Sequence, residues 1–158
     1  MGMYTGIRFK GIVKPEFRRN FKEIALEGAW EESRIHIFKS FGINVGRSSF
    51  IPCGSLSYMP DAWGQVISFD DGFENYKTSG DTDGFDRTYD EETGRWTFQC
   101  SLKNYENEIE SFFELIPEFI ESIEHLEYFY EEWKYSEKYD LVNGKVTLVE
   151  PKFINYGL

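Results

Sequence analysis

The clearest apolar pattern in the chain lies between Asn107 and Ile123. Its apolar residues recur at intervals of three and four, the period of a helix with one buried face: Ile109, Phe112, Phe113, Ile116, Phe119, Ile120 and Ile123. Asn107 and Glu110 have the spacing of a capping box at the helix start. Pro117 removes one backbone hydrogen bond and should kink the helix. The pattern predicts a helix over 107–123 that packs its apolar face on the rest of the domain.

The opposite face of this predicted helix is acidic. Six glutamates recur along it at helical spacing: Glu106, Glu110, Glu114, Glu118, Glu121 and Glu124. Residues 104–133 contain ten glutamates and no lysine or arginine. Like charges four residues apart each destabilise a helix by about 0.2–0.5 kcal/mol. The stripe therefore indicates either a surface selected to bind a basic partner or a face that only keeps the protein soluble.

Alternating apolar and polar residues predict strands on both sides of the helix. These strands cover residues 4–13, 85–89, 95–102 and 126–133. In the first strand Ile7, Phe9 and Val13 lie on one side, whereas Arg8 and Lys10 lie on the other, which is typical of a half-buried strand. In the third strand the apolar side consists of Trp96, Phe98, Cys100 and Leu102.

Turn and cap residues predict the connections. Pro15 favours the first turn of a helix that runs to about residue 27. A turn ending in Gly94 joins the strands at 85–89 and 95–102 into a hairpin. Asn143-Gly144 predicts a two-residue hairpin of type I′, because both residues tolerate positive φ. Pairing outward from that turn sets Leu141 against Val146 and Tyr139 against Leu148.

The segment 29–84 has the weakest patterns. Apolar residues from Trp30 to Phe41 favour a helix that ends with Gly42 as its C-cap, although the run 34–38 would also suit a strand. Most of 42–64 reads as loop, with a short strand at 48–51. Residues 65–69 favour another strand, and the acidic, glycine-rich stretch 69–84 favours a mobile excursion.

Without this segment the element order is βαββαβ, which predicts an α+β domain. We expect an antiparallel ferredoxin-like sheet with two helices on one face and a C-terminal hairpin. The single domain 1–158 would comprise a core at 4–28 and 85–149, an insertion at 29–84 and a tail at 150–158. In element order over 4–13 and 85–149 the chain resembles the ferredoxin-like domains of small plasmid- and phage-encoded proteins of the YubB type. The resemblance implies the fold and transfers no functional residue.

Charge narrows the class of partner. The net charge of −11 repels nucleic acid and anionic membranes and attracts basic surfaces. The two cysteines are too few for a disulfide framework. The N-terminus lacks the apolar run of a signal peptide, and no stretch is apolar enough to span a membrane. We therefore expect a cytoplasmic protein with no direct contact to nucleic acid or membrane.

No known catalytic or cofactor motif occurs in the sequence. A Cys–His nucleophile would need His36 or His125 beside Cys53 or Cys100, and no local pattern supports it. His125 would end the predicted helix, where a cation suits the helix dipole. The acidic residues 81–92 could attract calcium, but their spacing is not that of an EF-hand. We expect no metal site, no cofactor and no catalytic residue.

Two functional hypotheses follow. The first is a non-enzymatic binding or inhibitor protein, of the sort that mobile elements encode, whose six-glutamate face occupies a basic surface of a partner protein, such as a nucleic-acid-binding protein. The alternative is a small-molecule-binding protein or enzyme with its site in the 29–84 insertion, because long ordered loops often carry function.

Overall fold

The computed structural model describes residues 3–56, 58–64, 66–69, 76–78 and 84–157. It confirms an α+β architecture with an antiparallel six-stranded sheet. The strands are β1 (Tyr4–Val13), β2 (Val66–Phe69), β3 (Tyr76–Thr78), β4 (Thr88–Tyr89), β5 (Arg95–Lys103), β6 (Ile120–Tyr130), β7 (Glu137–Val142) and β8 (Lys145–Glu150). The α-helices are α1 (Lys22–Glu27), α2 (His36–Asn44), α3 (Phe50–Cys53) and α4 (Glu108–Phe119), and 3₁₀ helices cover Pro15–Asn20 and Trp30–Glu32.

Strand β1 lies at the centre of the main sheet, whose order is β4-β5-β1-β6-β7-β8. Phe9 of β1 pairs with Phe98 of β5 on one side and with Leu126 of β6 on the other. Strands β2 and β3 form a separate antiparallel pair. Because β1 pairs along both edges, the strands on either side of it share one continuous apolar face.

The helices pack on that face around a core rich in aromatic rings. Trp30, Phe38, Phe112 and Phe119 are buried against the Trp96 side of the sheet. The Phe38 and Phe119 ring centroids are 5.0 Å apart, and contacts of this kind stabilise a core beyond the area that they bury. The prediction that the central helix packs its phenylalanine and isoleucine face on the sheet is confirmed.

The other face of the sheet is also covered, so the prediction of a half-buried first strand is wrong. Leu56, Met59 and Trp63 pack there with Phe129. A Cβ atom at Gly6 would clash with the side chains of Met59 and Trp63, so glycine permits this close approach. Polar residues on this face, which alternation assigns to solvent, are consequently buried.

The central helix is shorter than predicted. It ends at Phe119, and Ile120 already has extended backbone angles (φ −101°, ψ 125°) and begins β6. Ile120 pairs with Val13, so long-range pairing with β1 overrides the helical period of the sequence. Residues 120–123 therefore belong to a strand that was predicted to begin at 126.

The start of the helix also differs from the predicted capping box. Asn107 precedes α4 in a left-handed conformation (φ 60°) and makes no side-chain cap. The Asn104 side-chain oxygen instead accepts a hydrogen bond from the Ile109 backbone N–H at 2.8 Å. Asn104 also donates to the Glu110 carboxylate at 2.8 Å, so the helix start is satisfied from three residues further upstream.

Within the insertion, the structure confirms a strand and only part of the predicted helix, because α2 begins at His36 and Trp30–Glu32 forms a separate 3₁₀ helix. Gly42 lies inside α2 rather than after it, because its backbone packs against the chain at residues 30–31. Residues 48–51 are not a strand, since a turn at 46–49 leads into α3, in which Ile51 has non-helical backbone angles (φ −107°, ψ 108°). Strand β2 confirms the prediction for 65–69, apart from Gln65, which lies outside the described residues. Most of the 69–84 excursion also lies outside them.

Both predicted hairpins are present. Asn143 and Gly144 have φ angles of 52° and 76°, and the pairs Leu141–Val146 and Tyr139–Leu148 form as predicted. Gly94 ends the other turn with φ 79°. The strand before that turn is only two residues long, and Tyr89 pairs with Trp96.

Candidate functional site

The structure divides the six predicted site glutamates between three elements. Glu106 precedes α4, whereas Glu110, Glu114 and Glu118 lie on the helix. Glu121 and Glu124 lie on β6, because the helix ends at Phe119. The prediction of one six-residue helical stripe is therefore wrong, and only three of its members lie on α4.

The two predicted site residues on β6, Glu121 and Glu124, have basic partners. A Glu124 carboxylate oxygen accepts a hydrogen bond from Arg95 at 2.8 Å, and Glu121 lies 4.0 Å from Arg18. The hydrogen bond from Arg95 lowers the pKa of the Glu124 carboxyl. Sequence reasoning missed both pairs, because Arg18 and Arg95 are 103 and 29 residues away from their partners.

Three of the four glutamates on α4 form what we call the acidic ridge: Glu110, Glu114 and Glu118, whereas Glu108 is buried. Glu110 is partly buried and accepts hydrogen bonds from Asn104 and from the Tyr128 hydroxyl at 3.1 Å. Glu114 and Glu118 are exposed, and neither forms an ion pair or hydrogen bond with another described residue. The ridge thus presents two uncompensated carboxylates, fixed one helical turn apart.

A shallow groove of about 370 Å³ runs beside the ridge between α2 and α4. We call it the α2–α4 groove. Its lining combines apolar side chains with the two free carboxylates: His36, Ile37, Ser40, Phe41, Asn44, Ser111, Glu114, Leu115 and Glu118. Phe41 and Leu115 are largely buried against the core and supply an apolar floor. The groove can accept an apolar side chain of a partner while the carboxylates attract its cations.

A buried polar cluster lies on the other face of the sheet, and sequence reasoning missed it. The Glu127 carboxylate is fully buried and accepts a hydrogen bond from the Tyr156 hydroxyl at 2.7 Å. Its other oxygen lies 2.9 Å from His125 Nε2. Burial alone would raise the pKa of Glu127, but hydrogen bonds from His125, Tyr156 and Ser136 hold it below its ordinary value.

Arg8 belongs to the same buried layer. It donates to the Gln99 side chain at 3.0 Å and to the Ala62 carbonyl at 2.9 Å. Its guanidinium also lies 4.4 Å from the centroid of the Phe85 ring. These contacts tie the 54–64 segment to the sheet, just as Glu127 ties the C-terminal segment to it. The layer therefore has a clear structural role.

The cysteines and histidines do not form a nucleophilic pair. Cys100 is buried in the core and Cys53 donates weakly to the Leu26 carbonyl at 3.6 Å. Burial raises the pKa of both thiols, which disfavours the reactive thiolate. His125 lies on β6 rather than at a helix end, and His36 lines the α2–α4 groove.

The predicted acidic loop at 81–92 is only partly described, since residues 81–83 lie outside the described residues. Among the residues that the structure does describe, no three His, Cys, Asp or Glu side chains are grouped to hold a metal ion. Over the same residues, no helix has both the length and the apolarity needed to cross a bilayer.

Known proteins do not identify the chain. No protein-family model, curated protein or solved structure matches it.

Proposed function

We propose that this protein binds a basic surface of another protein through the acidic ridge and the α2–α4 groove, and that it inhibits the partner by occupying that surface. The observation that carries the proposal is the pair of exposed carboxylates of Glu114 and Glu118, neither paired with another described residue, at the rim of a groove with an apolar floor. Uncompensated like charges on one helix face destabilise that helix. A basic partner would offset this repulsion, because its cations would attract both carboxylates.

The structure reduces the proposed binding residues to a smaller set. Glu121 and Glu124 are already compensated by arginines, so a partner would gain less from them. The rim glutamates Glu114 and Glu118, with Glu106 and Glu110 at the start of the helix, are the residues on which we base the proposed binding. A basic, nucleic-acid-binding protein is the kind of partner that such a surface fits.

Capture from a bacterial lysate tests this proposal. The double variant Glu114→Lys/Glu118→Lys changes the net charge by four units and keeps the apolar face of α4 intact. The matched control Glu91→Lys/Glu92→Lys makes the same change in the exposed turn before β5. We expect the wild type and the control to retain the same basic protein at low salt, and the ridge variant to lose it. Equal retention by all three proteins, or no specific partner at low salt, would contradict the proposal.

A specific cavity favours a second candidate function, binding of a small molecule. A cavity of about 350 Å³ lies where the insertion meets β1 and β5, lined by Tyr4, Arg47, Phe50, Gly54, Ser55, Ser101, Leu102 and Lys103. Its aromatic rings and the Lys103 ammonium suit a small aromatic anion, whereas Arg47 is already paired with Glu108 at 2.8 Å. Thermal-shift measurements with aromatic carboxylates and nucleoside monophosphates test this candidate, because a ligand of the native state raises the melting temperature.

We also propose that the fold is ferredoxin-like and related to the YubB type. The adjacent, antiparallel strands β4, β5, β1 and β6 support the first part, together with α1 and α4 on one face. The element order over 4–13 and 85–149 is the support for the second.

A further inference from the structure

Trp133 differs from the other three tryptophans of the chain. Trp30, Trp63 and Trp96 are buried, whereas 40% of the Trp133 surface is exposed. Its backbone N–H donates to the Tyr130 carbonyl at 2.8 Å, and this turn folds the indole back over the end of β6. The indole lies 5.6 Å from the Tyr128 ring and 6.0 Å from the Tyr130 ring. We call Tyr128, Tyr130 and Trp133 the aromatic platform.

The platform lies in a negative electrostatic environment. Burial raises the pKa of the Tyr128 hydroxyl most, and the Glu110 and Glu137 carboxylates raise it further. Burial likewise raises the pKa of Tyr130, with Glu132 and Glu131 adding to the effect. Four carboxylates therefore act on the two hydroxyls. The neighbouring cation Lys134 lies over the ring of Tyr135 instead, with its ammonium 5.9 Å from the centroid.

The platform and the acidic ridge meet at Glu110. The Glu110 carboxylate that accepts from Tyr128 lies on α4, one helical turn before Glu114. One bound segment of a partner could therefore contact the ridge and the platform together. Tryptophan and tyrosine are also among the residues that most often dominate binding energy in protein interfaces; here Trp133 is exposed, whereas Tyr128 and Tyr130 are half-buried.

We propose that the aromatic platform binds an arginine side chain of the basic partner. A guanidinium stacks on indole and phenol faces while its N–H groups still donate to carboxylates, and here the exposed Glu132, which acts electrostatically on Tyr130, directly precedes Trp133. An ammonium group gains less from such stacking, so the site prefers arginine to lysine. The inference rests on the proposed function, because it assumes a basic partner.

Two synthetic peptides of equal length and charge test the proposal, one alternating arginine with alanine and one alternating lysine with alanine. Their dissociation constants are measured by isothermal titration calorimetry at low salt. We expect the wild type to bind the arginine peptide about two- to fivefold more tightly, as an exposed cation–π contact provides. Trp133→Ala should remove this preference. Tyr58→Ala, which removes a 58% exposed aromatic ring stacked on Tyr4, is the matched control and should keep it.

A second variant tests the site even if Trp133→Ala fails to fold. Glu132→Gln changes one exposed side chain and should lower the affinity for the arginine peptide without lowering the melting temperature. Equal affinity of the wild type for both peptides, or an unchanged preference in Trp133→Ala, would overturn the arginine site. The proposed function would still hold after that result if Glu114→Lys/Glu118→Lys lowered the affinity for both peptides equally. No binding of either peptide would overturn both proposals.

Discussion

Burial decides what an ion pair contributes in this protein, and two arginine–glutamate pairs show the contrast. Arg47 lies 2.8 Å from Glu108, and Arg95 lies at the same distance from Glu124. Glu108 is fully buried, whereas more than half of Glu124 is exposed. An exposed pair is screened by water, whereas a buried carboxylate depends on its partner.

We therefore predict different costs for removing the two arginines. Arg47→Ala should destabilise the fold by about 3–5 kcal/mol, because it leaves the buried Glu108 charge with the Glu106 backbone N–H but without its cation. Arg95→Ala should cost about 1 kcal/mol or less. Urea denaturation of both variants measures the difference. Similar midpoints for the two variants would show that Glu108 does not depend on Arg47.

Glu127 should make stability fall in acid. Its folded-state pKa is below the ordinary value of 4.5, so its stabilising contribution is present above that pH and is lost as the pH falls through the folded-state pKa. Glu127→Gln should cost about 1–3 kcal/mol at neutral pH and should flatten the stability profile below pH 4.5. Thermal unfolding across pH 3–7 would contradict this assignment if the two proteins lost stability in parallel.

The sequence predicts which residues form the helix-side core but not these buried polar groups. Phe112, Phe119 and Trp96 follow clear periods, and the structure buries all three. Glu127 and Arg8 also obey the alternation, which places them on the side normally exposed to water. That side is covered by Met59 and Trp63, and nothing in the local pattern of a strand reveals what a distant segment will cover.

At the scale of elements, the junction between α4 and β6 sets the candidate site. Ile120 and Ile123 continue the helical spacing, yet both positions pair with β1. The β1–β6 pairing has register shifts at Lys10/Gly11 and Ile12/Val13. A strand with such shifts does not keep a strict two-residue alternation, so its apolar residues can be spaced as they are in a helix. The sequence could therefore predict a helix here but not its last turn. Because the predicted helix extended past Phe119, Glu121 and Glu124 were assigned to the helix face instead of to β6.

The packing of α4 gives a prediction at this scale. Phe112 is fully buried and contacts the rings of Phe9, Trp30 and Trp96. Phe112→Ala should cost about 3–5 kcal/mol, as a large truncation in a core does. Phe50→Ala removes a ring that is nearly half exposed and should cost clearly less. Equal losses in chemical denaturation would contradict the assignment of Phe112 to the core.

At the scale of the whole molecule, the net charge of −11 says less about where a partner could bind than the distribution of the charges does. Part of the acidic excess is compensated by arginines or buried in hydrogen-bonded clusters, as Glu124, Glu108 and Glu127 show. The sequence identified the acidic segment correctly. It could not show which carboxylates stay unpaired, because their partners come from distant strands and loops.

The central claim is that the acidic ridge and the α2–α4 groove form the binding surface. The most direct test is an NMR titration of isotope-labelled protein with the arginine peptide at low and high salt. We predict that amide shifts concentrate in 36–44 and 108–119, with Trp133 also affected, and that salt suppresses them because complementary exposed charges are screened. Shifts concentrated around residues 47–55, shifts spread evenly over the surface, or no shifts at low salt would contradict the account.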